Sequence, residues 1–86
     1  MTDAKLLDVI ETAIREESES VRGLDIRADS QLVDDLGLDS LDLVAVVLKL
    51  EDQLAVPIGV QEIRNFQRVS DLMELVRRLQ GTSAAA

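Results

Sequence analysis

The stretch Asp34-Asp35-Leu36-Gly37-Leu38-Asp39-Ser40-Leu41-Asp42 gathers the side chains of this sequence that could do chemistry. Ser40 is a hydroxyl nucleophile at the expected first position of a helix. Such a helix start leaves backbone N–H groups unpaired and partly positive, which favours an anionic group esterified there. Asp34, Asp35, Asp39 and Asp42 surround it, so a free phosphate would be repelled rather than bound. A serine suited to carrying a phosphate but unable to attract one points to covalent attachment by a separate, basic enzyme. The plainer reading makes Ser40 a helix-start residue and nothing more, since Ser and Asp are common there. The residues alone leave both open.

Other chemistries fail on residue type or spacing. The chain of 86 residues has no Cys and no His. That removes disulfides, thiolate catalysis, Cys/His zinc sites and a Ser-His-Asp relay. G-L-D-S-L lacks the second glycine of a nucleophile elbow. The aspartates do not follow the spacing of a calcium loop, and no metal site is expected. Glu51 and Asp52 are read as a solvated helix end rather than an acid–base pair. No catalytic residue is expected.

Charge narrows the partners. Net charge is −8, and 14 of the 17 acidic residues precede Ile58. Between Arg27 and Lys49 the sequence holds Asp29, Asp34, Asp35, Asp39 and Asp42 and no base. This repels nucleic acid and anionic lipid, and reads as a solvated face or a docking surface for a basic partner. Phe66 is the only aromatic residue, so bases have no stacking platform. The N-terminal residues meet charge every few positions, unlike a signal peptide. The longest apolar run, Leu43–Leu48, is too short to span a bilayer. A cytoplasmic monomer is expected, with no nucleic-acid or membrane partner.

Three main helices position the motif. Leu6, Leu7, Ile10, Ala13 and Ile14 recur at helical spacing, with Thr2 or Asp3 as cap and an end near Glu17 to Ser20. A connection of about twenty residues follows, long for a compact domain, anchored by Leu24, Ile26, Leu32, Val33, Leu36 and Leu38. Ser30 is expected to cap a short turn that Gly37 ends. Asp39 caps the second helix, with Asp42 in its first turn. There Leu43, Val47, Leu50 and Leu54 form the core stripe; Asp42, Val46, Lys49 and Gln53 lie opposite, and Leu41, Ala45 and Leu48 form an apolar flank. Pro57 closes the segment. Val60 to Phe66 allows a short helix of one or two turns. Ser70 caps the last helix, which buries Leu72, Leu75, Val76 and Leu79 and ends before Gly81. The expected fold is all-α: a small four-helix bundle of three main helices and one short one, with the long loop between helices 1 and 2.

DSQLVDDLGLDSLDLVAVVLKLEDQL followed by V-P closely resembles the acyl carrier proteins, whose D-S-L serine receives 4′-phosphopantetheine. The resemblance covers nearly the whole chain, and makes residues 1–80 a carrier domain with 81–86 as a flexible C-terminal tail. It implies a stand-alone, non-catalytic carrier with Ser40 as the attachment point for phosphopantetheine donated by coenzyme A. The absent cysteine fits, because the reactive thiol then belongs to the cofactor. The partners implied are a phosphopantetheinyl transferase and acyl-loading and acyl-processing enzymes of the ligase, acyltransferase and ketosynthase classes. Asp35, Leu38, Asp39, Leu41, Asp42, Ala45 and Leu48 would form the partner-recognition surface.

The chain departs from fatty-acid carriers at Ala45, where they usually place a glutamate, and at Lys49, where they rarely place a base. Leu38 replaces a usual small residue, and the segment from Pro57 to Val69 is about two residues longer. A fatty-acid, polyketide or other specialised acyl pathway is implied. An aminoacyl or peptidyl carrier is the near alternative, although the two-glycine peptidyl pattern fits less well. An unmodified helical interaction module using the Leu41/Ala45/Leu48 flank is the alternative from another class.

Overall fold

Thr2 caps the first helix by accepting the Lys5 N–H at 3.2 Å, and α1 follows over Asp3–Glu17. A computed structural model describes residues 2–85, without the side chains of residues 60 and 81–85. Leu6, Ile10, Ala13 and Ile14 of α1 are buried, and Leu7 packs at the edge of the core. The helix stops at Ser18, where the backbone turns extended. A single 3-10 turn, Glu19–Val21, continues the chain and buries Val21.

The long connection is tied down at both ends. Arg15 of α1 donates from Nη2 to the Leu24 carbonyl at 2.8 Å and from Nη1 to the Val21 carbonyl at 3.3 Å. Further on, the loop lies against the chain leading into α3, which spans Val69–Ala85. Leu32 N–H donates to Gln67 O, Val69 N–H to Ser30 O and Ser70 N–H to Ala28 O, at 2.8, 3.0 and 2.7 Å. One isolated antiparallel bridge, Gln31 to Arg68, is part of this pairing, and no strand occurs among the described residues.

These contacts correct several local expectations. Ser70 lies inside α3 and donates to the loop; Asp71 accepts the Gln67 and Arg68 N–H groups at 2.8 and 2.9 Å in its place. Ser30 closes the turn behind it, accepting the Arg27 N–H at 2.9 Å, rather than capping the turn ahead. Ile26, Leu32, Leu36 and Leu38 anchor the loop as expected, while Leu24 and Val33 face solvent at 40% and 57% exposure. Helix α3 continues through Gly81, so that glycine does not end it. Side chains from 81 onward, and Ala86, lie outside the described residues.

Helix α2 spans Ser40–Leu54 and ends in Ala55, whose φ of 56° places it in the left-handed region. Beyond Pro57, the segment expected as a short fourth helix is a 3-10 helix, Val60–Asn65. Gly59 opens it without a side-chain cap. The three-residue spacing of Val60, Ile63 and Phe66 suits three residues per turn rather than 3.6. Among the described residues the fold is all-helical, with three α-helices, and the segment expected as the short fourth helix is 3-10.

Along α2 the buried residues are Leu43, Val46, Val47 and Leu50. Val46, expected on the solvent side, is fully buried. The buried arc takes in Val46 because α2 packs on both α1 and the Val60–Asn65 segment. The outward stripe is then Leu41, Ala45, Leu48 and Asp52, one helical face at spacings of four, three and four residues.

Candidate functional site

Two reciprocal hydrogen bonds fix the start of α2. Asp39, the N-cap, accepts the Asp42 N–H at 2.8 Å, and the Asp42 carboxylate accepts the Asp39 N–H at 3.3 Å. This capping box fixes both the helix start and the approach of the preceding loop. Ser40 is the first residue inside that frame and is exposed. Leu41 beside it is 80% exposed, the most exposed large apolar side chain described.

The loop before the cap is built to hold this placement. Its turn closes with Asp35 and Leu36 N–H on Gln31 O, Gly37 N–H on Val33 O and Leu38 N–H on Leu32 O, each at 3.0 Å. The Asp35 carboxylate accepts the Gln31 N–H at 2.8 Å, so this acid helps to fold the turn while remaining exposed. Gly37 has φ of +71°, a conformation in which a side chain is strained. Val33 and Asp34 border an open groove of about 360 Å³ shared with Gln31, Phe66 and Gln67.

Of the residues expected to meet partners, Asp35, Asp39, Leu41 and Leu48 are exposed, while Asp42 and Ala45 are half-buried. Leu38 is the exception. It is 1% exposed and belongs to the hydrophobic core, so it anchors the loop from beneath and offers no surface to a partner. A leucine between a glycine and an N-cap gains more by entering the core than by staying in water, by about 1.5–3 kcal/mol for full burial.

Lys49 is also not the free charge that its spacing implied. Its Nζ lies 3.3 Å from Glu17 and 3.5 Å from Glu16 at the end of α1. The Glu17 hydrogen bond, with help from Glu16 and against some desolvation, holds the ammonium above its ordinary range. One signal for this brace existed in the sequence. Glu16 and Glu17 occupy the last turn of a helix, where the macrodipole favours cations, and so call for a base from elsewhere.

The chemistry available at this end is an exposed hydroxyl at a capped helix start, with the Asp39 and Asp42 carboxylates beside it in sequence. No group of three or more candidate ligands for a metal ion occurs among the described residues. No described helix is long and apolar enough to cross a membrane.

Residues 4–79 match the family model described as "Phosphopantetheine attachment site". Curated relatives agree. An acyl carrier protein of Solidesulfovibrio magneticus is 31% identical over 61 residues, covering 71% of this chain and 78% of that protein. One from Clostridium perfringens is 37% identical over 57 residues, covering 66% and 75%. Another, from Rhodococcus erythropolis, is 27% identical over 73 residues, covering 85% and 80%. The match spans α1, the loop, α2 and most of α3, so the chain belongs to the acyl carrier protein family: non-catalytic carriers with a covalently bound 4′-phosphopantetheine group, working with phosphopantetheinyl transferases and acyl-processing enzymes.

Proposed function

We propose that Ser40 is the attachment point for 4′-phosphopantetheine, and that the chain carries acyl groups for a specialised pathway rather than for housekeeping fatty-acid synthesis. The observation that carries the first part is the exposed Ser40 hydroxyl at the first position of a doubly capped helix. The residues fit the group: a phosphodiester there sits at the positive end of the α2 dipole and projects into solvent. When bound, the arm supplies a terminal thiol that holds acyl groups as thioesters.

Attachment joins Ser40 Oγ to the phosphorus that coenzyme A bonds to pantetheine. The pyrophosphate P–O bond breaks, adenosine 3′,5′-bisphosphate leaves with the electron pair, and the serine proton passes to the transferase. The role of this chain is placement. Asp39 and Asp42 fix the helix start by accepting backbone N–H groups, and Asp34, Asp35, Asp39 and Asp42 present an acidic collar to a basic transferase.

The second part rests on α2. Its outward stripe is Leu41, Ala45 and Leu48, and acid returns only at Asp52. Lys49 is paired with α1, so the substitutions that face a partner are apolar. Such a face suits a partner with an apolar cleft and bases confined to the Ser40 end. Incubation with coenzyme A and a phosphopantetheinyl transferase, read by intact mass, tests the attachment. Turnover of the loaded protein by a housekeeping ketosynthase tests the pathway.

A further inference from the structure

We propose that Ser20 is a positioning residue for the modification of Ser40, an inference that rests on the reading of Ser40 just given. The Ser20 hydroxyl donates to the Leu36 carbonyl at 3.0 Å, across 16 positions of sequence. The Ser18 and Ser20 hydroxyl oxygens are 2.7 Å apart. A carbonyl only accepts and a hydroxyl has one proton, so the direction of both bonds is determined. Ser20 gives its proton to Leu36, and Ser18 therefore gives its own to Ser20. Ser18 Oγ accepts the Ser20 N–H in return, at 3.3 Å.

This chain of hydroxyls joins the end of α1 to the loop just before Ser40. Ser18 is nearly buried at 8% exposure, so its side chain is held by the surrounding packing. Leu36 is fixed on its other sides, with its side chain in the core and its N–H on Gln31 O. Gly37 then reverses the chain while facing Ser20; a Cβ there would stand 3.7 Å from Ser20 Oγ. Leu38 enters the core, Asp39 caps α2, and Ser40 follows. Ser20 acts through this path rather than by touching Ser40.

Without the hydroxyl, the Leu36–Asp39 loop populates its docking-competent form for a smaller fraction of time. The transferase then meets fewer competent carriers, which raises KM in inverse proportion while kcat stays unchanged. Ser20→Ala, Ser20→Thr and Thr12→Ala are compared with wild type. Thr12→Ala is the control, since that hydroxyl donates within α1 to Asp8 O at 2.9 Å. Transfer from coenzyme A by a phosphopantetheinyl transferase is followed by intact mass, and amide exchange is read at Leu38 and Asp39. Ser20→Ala should speed exchange at Leu38 and Asp39 by about fivefold, the scale of one lost hydrogen bond, and raise KM measurably, by at most the same factor. Exchange in α1 and α3 should stay as in wild type, Ser20→Thr should restore both readouts, and Thr12→Ala should change neither. Wild-type KM and exchange in Ser20→Ala, no rescue by Thr, or an equal loss in Thr12→Ala overturns the role of Ser20 alone. A wild-type chain that gains no mass overturns the Ser40 reading, and this inference with it.

Discussion

Lys49 of α2 and Glu17 of α1 meet at 3.3 Å across 32 positions of sequence, joining the two helices. Lys49→Met should lower Tm modestly, as expected for an ion pair at the surface. The folded pKa of Lys49 is raised, so its contribution is fully present below the unfolded lysine value, about 10.4, and is lost as pH rises through the folded one. Thermal melts of wild type and variant should therefore differ by a constant amount from neutral pH to pH ~10 and converge above that. A gap that persists unchanged in stronger alkali would contradict the brace.

Asp39 combines a cap with a charge, and two substitutions separate them. Asp39→Ala removes the acceptor for Asp42 N–H and should cost about 1 kcal/mol of stability. Asp39→Asn keeps an acceptor and should melt close to wild type, yet it should slow modification at low salt through the lost charge. Denaturant melts and modification rates across a salt series check both. Equal stability of the two variants would show that the cap contributes nothing.

Leu38 and Leu41 flank the same Asp-Ser pair but do opposite things. Leu38→Ala should destabilise the fold by about 2–5 kcal/mol, because it opens a cavity in the core. Leu41→Ala, at an 80% exposed position, should leave stability within about 0.5 kcal/mol and weaken partner encounters instead. Chemical denaturation of each variant distinguishes the roles.

The Leu41/Ala45/Leu48 stripe should set partner choice. Ala45→Glu places a carboxylate midway along it without touching the core, and should raise turnover by a housekeeping ketosynthase about two- to tenfold through faster encounter. Wild type already matching a housekeeping carrier would show that Ala45 is not the determinant.

Local chemistry made the helix starts readable. Thr2 and Asp39 act within three residues of themselves, and both cap as their types dictate. What depends on distant neighbours was not readable. Val46 is buried where α2 packs on both α1 and the 3-10 segment, a fact absent from its own periodicity. Ser70 resembles a cap in sequence, but its N–H is claimed by Ala28 of a loop that pairs with the entry to α3. Leu38 reads in the sequence both as a loop anchor and, beside the motif, as a partner contact; at 1% exposure it serves only the first. Ser40 itself was identified by the motif around it, and the capping box supplies its exposed setting.

The most direct test of the central claim is intact mass with peptide mapping after incubation with coenzyme A and a phosphopantetheinyl transferase. Wild type should gain one phosphopantetheine, mapped to the peptide containing Ser40. Ser40→Ala should gain none while keeping the far-UV helix signal. Labelling of Ser40→Ala, or labelling of wild type at Ser30 or Ser70, would contradict the account.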